Sequence, residues 1–427
     1  MGAIQAIRGT RDILPEEVGY WQQIETVARQ ILQKAVYQEI RTPIFEQTDL
    51  FERGIGEATD VVGKEMYTFL DRGERSLTLR PEGTAGVVRS YIEQSLYAQG
   101  GVQRLWYTGP MFRYERPQAG RQRQFHQLGV EVLGARDPRA DVEVINLATN
   151  ILQALGLKNL ELSLNSVGDS EDRENYKQAL VDYLTPYQAE LDPDSQERLN
   201  RNPMRILDSK DKRTQEITAD APRILDYLGT DSQRHFELVQ QLLTDLDITY
   251  QINPRLVRGL DYYTHTAFEI QSQDLGAQTA VCGGGRYDKL VSELGGPDTP
   301  AVGWAIGMER LILLLQQMQA APNPAIDFYL VSRGEKAEPQ ALILAEKMRS
   351  AGFTVDLDLS GSGFAKQFKR ADKSGSVACL VLGDAEAENQ TVKLKWMASK
   401  EQLAIAQSEL LNSTDKLRQQ IDALVKI

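Results

Sequence analysis

Phe112-Arg113-Tyr114-Glu115-Arg116-Pro117-Gln118-Ala119-Gly120-Arg121-Gln122-Arg123-Gln124-Phe125-His126-Gln127-Leu128-Gly129-Val130-Glu131 is the stretch that decides the fold. Side chains of a strand alternate between two faces. Phe112 and Tyr114 therefore share one face of a first strand, Arg113 and Glu115 the other. Pro117 and Gly120 break the alternation and place a loop there. On the return strand His126, Leu128 and Val130 share one face, and Phe125, Gln127, Gly129 and Glu131 the opposite one. The spacing predicts a hairpin with one mainly apolar side and one side carrying Arg, Glu, Gln and Phe around a bare glycine. A sheet covered on one side and wetted on the other gives such alternation by itself. A solvated face, however, normally takes Thr, Lys and Ser. An open Phe beside a Gly, flanked by Arg113 and Arg121, suits a flat aromatic ligand bearing phosphates. Phe stacks on a purine, glycine leaves room for it, and guanidinium forks bind phosphate oxygens in pairs.

Composition bounds what surrounds this hairpin. A chain of 427 residues has room for roughly three domains, and a hydrophobic fraction of 41% suffices for more than one core. No run of eighteen apolar residues occurs, so no membrane-spanning helix is expected, and the N-terminus carries no secretory pattern. Two cysteines, Cys282 and Cys379, cannot build a disulfide framework. With His126, His235 and His265 they form no metal-ligand spacing, so no protein-held metal is expected. A reducing cytoplasm is the simplest compartment. The net charge of -12 argues against nonspecific coating of nucleic acid, which depends on Lys and Arg. Residues 326–427 hold 14 basic and 14 acidic side chains, so the whole acidic excess lies in residues 1–325. An RNA partner would meet the near-neutral C-terminal part or the hairpin loop before the acidic bulk.

Upstream, apolar residues at Val18, Trp21, Ile24, Val27, Ile31 and Leu32 predict a helix over 17–36. An extended run from Tyr37 to Phe45 follows, with Pro43 suiting an edge or a chain crossing. Ser76-Leu77-Thr78-Leu79-Arg80-Pro81-Glu82-Gly83-Thr84 reads as a short strand that turns into the helix from Ala85 to Leu96. Glu82 and Thr84 at that turn suit helix capping, with Thr84 as N-cap, and equally a site for an ammonium group. After the hairpin, helix Val142 to Leu155 and strand Leu160 to Asn165 continue the first domain. Residues 170–250 are helical and charged, punctuated by Pro186, Pro193, Pro203 and Pro222, with no glycine between Gly168 and Gly229. They read as an insertion.

The first domain resumes with Leu256-Val257-Arg258-Gly259-Leu260-Asp261-Tyr262-Tyr263-Thr264, then Cys282-Gly283-Gly284-Gly285-Arg286-Tyr287-Asp288 and a helix from Asp288 to Leu294. In Gly303-Trp304-Ala305-Ile306-Gly307-Met308-Glu309-Arg310, one strand face without bulk can accept a planar base. Arg310 in a helix first turn opposes the helix dipole, which points to an anionic or aromatic partner. After a Pro-rich linker at Ala320–Pro324, strands and helices alternate as βαβαβ, predicting a mixed sheet with helices on both faces. No phosphate-binding glycine loop follows its first strand. Lys366, Lys369, Arg370 and Lys373 recur at helical spacing there.

Four of these segments, in this order, resemble the class II aminoacyl-tRNA synthetases, and the Gln-Phe-His-Gln, Leu-Val-Arg-Gly-Leu-Asp-Tyr-Tyr and Cys-Gly-Gly-Gly-Arg-Tyr-Asp strings resemble the histidyl-tRNA synthetase branch. Val36 stands where that family's first motif has a glycine. The resemblance implies an α+β catalytic domain over residues 1–325, built on an antiparallel sheet with a helical insertion at about 170–250, and an anticodon-binding α/β domain with a mixed sheet over 326–427. It implies ATP-dependent ligation of histidine to tRNA(His) through histidyl-adenylate, in a cytoplasmic homodimer using ATP with Mg2+. Arg113 and Arg258 would act at the α-phosphate. Arg121 and Arg310 would hold the outer phosphates, Phe125 and Arg310 the adenine, and Glu115 its edge. Histidine would be held by Glu82, Thr84, Gln127, Glu131, Arg258, Tyr262, Tyr263 and Tyr287. The four cations of the C-terminal helix would meet RNA. Related chains also serve as histidine-binding regulatory subunits of ATP phosphoribosyltransferase, and a histidine-sensing or RNA-binding module is a further alternative; neither needs the complete ATP site and the C-terminal domain together.

Overall fold

A computed structural model describes residues 3–56, 59–257, 260–275, 280–318, 320–321 and 325–425. The chain divides into two compact units, Met1–Pro322 and Asn323–Ile427.

The first unit contains strands β1 (Gln38–Glu39), β2 (Phe45–Gln47), β3 (Tyr67–Leu70), β4 (Ser76–Leu79), β5 (Gln103–Phe112), β6 (Gln124–Leu133), β7 (Leu160–Ser166), β8 (Gln251–Ile252), β9 (Thr264–Ser272), β10 (Ala280–Arg286) and β11 (Ala301–Gly307). Its main sheet runs β1-β5-β6-β11-β10-β9-β7-β8. The six long strands from β5 to β7 pair antiparallel, and a two-residue strand adds in parallel at each edge. Strands β2, β4 and β3 form a separate small sheet. The predicted hairpin is β5–β6, with Tyr107 opposite Gly129 and Leu105 opposite Glu131.

Each face of the main sheet has its own core, as the period-two reading of β6 requires. Leu128, Val130 and Val132 pack with residues of helices Pro15–Lys34, Arg139–Ala154 and Met308–Met318. Burying each stabilises the fold by about 1.5–3 kcal/mol. On the other face Tyr107, Met111, Tyr262 and Tyr287 pack with Val87, Val88 and Tyr91 of helix Thr84–Glu93.

The first helix spans Pro15–Lys34, displaced by two residues from the expected 17–36. Pro15 presets the first turn, where Glu16 and Glu17 favour the dipole. At the other end Val36 adopts φ +62°. The Val36 N–H donates to Gln33 O at 3.1 Å and the Tyr37 N–H to Leu32 O at 2.9 Å. This closing turn normally takes glycine, and an exposed valine fills it here.

The insertion is helical as expected, with helices Ser170–Leu184, Pro193–Arg201, Lys212–Thr218 and Thr230–Asp245. Tyr176, Leu180, Leu184, Leu199 and Ile206 form a core that also takes in Val257 and Ala267.

The second unit contains β12 (Phe328–Arg333), β13 (Val355–Leu357), β14 (Ala378–Gly383), β15 (Thr391–Trp396) and β16 (Gln402–Ala406), ordered β13-β12-β14-β15-β16. The first three are parallel and the last two antiparallel, which is the expected mixed sheet. Helix Phe364–Ser374 carries the four cations, but they are not equivalent. Lys366, Lys369 and Lys373 are exposed. Arg370 donates to both oxygens of Asp358, at 2.8 and 3.0 Å, and to Ser362 Oγ at 2.6 Å, so it ties down the 358–362 loop. Helical spacing alone could not reveal that partner, twelve residues upstream.

Candidate active site

One cavity of the first unit, lined by the residues singled out above, holds about 260 Å³. Its floor is the sheet itself, through Gln127 of β6, Cys282 and Gly283 of β10, and Gly303, Ala305 and Gly307 of β11. The walls come from the β5–β6 loop, the Glu82–Thr84 turn, the 260–263 segment and the start of the helix at Met308. The two ends of the floor differ. A Cβ on Gly303 would fall on Glu131 Oε2 and the Val130 carbonyl, whereas one on Gly307 would meet nothing within 4 Å. In register Gly303 faces Glu131 and Gly307 faces Gln127, so one end is packed with polar side chains and the other is open.

At the packed end Glu131 is 1% exposed. The Thr84 hydroxyl donates to its Oε1 at 2.7 Å, the Tyr287 hydroxyl to its Oε2, and the Tyr107 hydroxyl approaches Oε1 at 3.4 Å. Burial pushes the Glu131 carboxyl up to about 8 against the pull of these donors. Glu82 accepts the Thr84 N–H at 2.7 Å and the Ala85 N–H at 2.8 Å, and burial raises its pKa too. Glu82 therefore caps the helix, Gly83 is the N-cap residue, and Thr84, expected as the cap, sends its hydroxyl to Glu131 instead. Farther along β6, opposite Gly307, Gln127 Oε1 is buried without a hydrogen-bond partner. The Tyr262 ring lies 4.8 Å from Tyr263 and 5.5 Å from Tyr287.

At the open end the guanidinium groups gather. Arg113 donates through Nε to Pro81 O at 2.9 Å, and its Cζ lies 5.3 Å from the centre of the Phe125 ring. Glu115 is 3.4 Å from Arg121 and 3.9 Å from Arg113. The loop turns at Gly120, whose φ of +70° brings it against the Arg310 stem. Arg310 donates to Ala280 O at 2.7 Å. Its pKa is lowered by burial and by the neighbouring Arg121 charge, against the pull of the Glu115 and Glu269 carboxylates.

One detail of the expected hairpin changes. The space over Gly129 is filled by the Tyr107 ring, so that glycine makes room for a side chain of the protein rather than for a ligand.

A family model described as histidyl-tRNA synthetase matches residues 9–311. The chain belongs to this family. A second model, described as an anticodon binding domain, matches residues 327–417. The chain is 75% identical over 422 residues to the histidine–tRNA ligase of Gloeothece citriformis, covering 99% of this chain and 98% of that one. It is 73% identical to that of Synechocystis sp., covering 99% and 94%. The crystal structure of apo Staphylococcus aureus histidyl-tRNA synthetase superposes with a TM-score of 0.82 at 41% identity, covering 96% of this chain and 100% of that one.

Of the side chains that the family resemblance implies, Glu82, Thr84, Gln127, Tyr262, Tyr263, Tyr287, Arg113, Glu115, Arg121, Phe125 and Arg310 all line this one cavity, and Glu131 lies directly beneath it. Arg258 lies outside the described residues. Two side chains escaped the sequence reading. Tyr107 sits under Gly129 and Gly83 with its hydroxyl toward Glu131; a tyrosine paired with a glycine across a hairpin was the available signal. Glu309 accepts the His126 N–H at 2.9 Å and contacts His126 Nδ1 at 2.9 Å, fixing the helix start to β6. No helix among the described residues is long and apolar enough to cross a membrane.

Proposed function

We propose that the chain ligates histidine to tRNA(His) at the expense of ATP, through histidyl-adenylate. One observation carries this: a single cavity has a cluster of guanidinium groups at its open end and a niche of buried carboxyl and hydroxyl groups at the other. In the first step the histidine carboxylate attacks the α-phosphate and pyrophosphate leaves; in the second the histidyl group passes to the 3′-terminal ribose. Such displacement needs alignment and charge neutralisation rather than a covalent catalyst. Arg113 and Arg258 act at the α-phosphate, Arg121 and Arg310 at the outer phosphates. Adenine rests between Phe125 and Arg310, over the bare Gly307 end, with Glu115 at its edge.

Histidine occupies the other end. Glu131 and Tyr263 pair with the two ring nitrogens, and Tyr262 and Tyr287 enclose them. Glu82, Thr84 and the unpartnered Gln127 oxygen receive the ammonium group. A substrate lacking those polar atoms leaves buried groups unpaired, which is a strong basis for rejection.

Among the described residues no group of three His, Cys, Asp or Glu side chains is placed to hold a metal. Mg2+ carried on the triphosphate needs one or two carboxylates; Glu65, whose backbone carbonyl accepts the Tyr114 N–H at the wall, would supply one. Bound there, the ion would neutralise phosphate charge. The second unit serves as the anticodon-binding domain, and the enzyme works as a cytoplasmic homodimer.

Attachment of labelled histidine to tRNA(His) tests the proposal. Histidine-dependent ATP–pyrophosphate exchange without transfer, or neither reaction, would refute it.

A further inference from the structure

The helical insertion reaches the histidine end of the cavity through polar contacts. In the first turn of helix Ser170–Leu184, Arg173 Nη1 donates to Asp261 O at 3.1 Å and to Tyr263 O at 2.8 Å. Asn202, buried at the end of the next helix, donates to Asp261 Oδ1 at 2.6 Å. Asp261 also packs against Gly56, whose φ of +99° leaves room for it. The two carbonyls flank Tyr262, and the gripped segment supplies Leu260, Tyr262 and Tyr263 to the cavity wall. On its far side, Leu260, Asp261 and Tyr263 line a void of about 20 Å³ together with Arg173, Asn202 and Arg205 of the insertion. Tyr263 packs against both the insertion core and the aromatic core under the site.

A second strut runs to the neighbouring Val61 part of the wall, which packs in one cluster with Leu260. Arg198 and Arg205 reach Asp60 Oδ2 at 3.0 and 3.1 Å. Asp60 immediately precedes Val61, which lines the cavity. The insertion thus holds two segments of the wall that lie outside the strands, alongside the Asp261 N–H that donates to Ile55 O at 3.2 Å.

We infer that the insertion is a positioning device for the histidine pocket, with Arg173 as its principal residue. Arg173 does not line the cavity itself. It sets the backbone from which Tyr262 and Tyr263 project, and a guanidinium bridging two carbonyls fixes both ends of that dipeptide at once. A shift of the insertion therefore moves the pocket's tyrosines. Mispositioning of about 1 Å is enough to cost an order of magnitude or more in turnover efficiency.

As this rests on the ligase function proposed above, wild-type exchange activity is the control: its absence would sink that function, not the role of Arg173. With an active wild type, Arg173→Met should raise the KM for histidine about tenfold in ATP–pyrophosphate exchange while the KM for ATP holds. Arg173→Lys, which keeps a donor, should recover most of the loss. Asn202→Ala should give the same asymmetry more weakly, and it tests the idea should Arg173→Met fail to fold. Equal changes in both KM values, or an unchanged histidine KM in the folded variants, would overturn the inference.

Discussion

The Thr84 hydroxyl donates to Glu131 Oε1 at 2.7 Å, joining a helix first turn to the C-terminal part of β6. Both residues are buried, so neither partner has water to replace the other. Thr84→Val should therefore cost about 1–3 kcal/mol of stability and raise the KM for histidine. Thr84→Ser should restore both. Urea unfolding and exchange kinetics on the same preparations check this; a Val variant as stable as wild type would contradict it.

Glu131 predicts a pH signature. Its carboxyl titrates at about 8 in the fold and near ~4.3 in the unfolded chain. Between those values the native state holds the extra proton. The stabilising contribution is thus complete below the lower value and is lost as pH rises toward the upper one, by up to about 1.4 kcal/mol per pH unit. Glu131→Gln cannot titrate. The stability of wild type relative to this variant should fall from about pH 5 to about pH 8, and parallel pH profiles would rule the assignment out.

Two glycines of one strand should respond oppositely to alanine. At Gly303 the new methyl group meets a backbone carbonyl and the Glu131 carboxylate, and neither can swing away. Overpacking of this kind costs about 1–3 kcal/mol or more, and histidine-dependent exchange should be lost. At Gly307 the space is open, so stability should stay within about 0.5 kcal/mol. Because we place adenine over that end, only the KM for ATP should rise. Thermal melts and paired KM values decide; an ATP KM unmoved by Gly307→Ala would relocate the base.

Val36 holds a left-handed conformation that costs an ordinary residue about 1–2 kcal/mol. Glycine removes that cost but loses some of the gain to unfolded-state entropy. Val36→Gly should therefore stabilise the first unit by about 0.5–1 kcal/mol, seen as a higher denaturant midpoint with an unchanged slope. A lower midpoint would mean the exposed side chain has a partner that outweighs the strain.

Much of this was legible in the sequence because period-two alternation survives where a strand has two different faces. Leu128 and Val130 went to one core, Phe125 and Gln127 turned to the cavity on the other face, and Glu131 was buried on that face. Local pattern failed where the deciding partner is distant in sequence. The sequence could not show that Tyr107 fills the space over Gly129, that Asp358 ties up Arg370, or that Glu82 rather than Thr84 caps the helix. Each depends on a tertiary contact or a backbone angle, neither of which leaves a period to read.

The main sheet ends on each side in a strand only two residues long. An open sheet edge of full length presents a row of unsatisfied amides that another chain can extend, which invites aggregation while a large domain is still assembling. Here each terminal strand offers two residues' worth of such groups. Eight strands are therefore laid side by side with outermost strands too short to serve by themselves as a template for a neighbouring molecule.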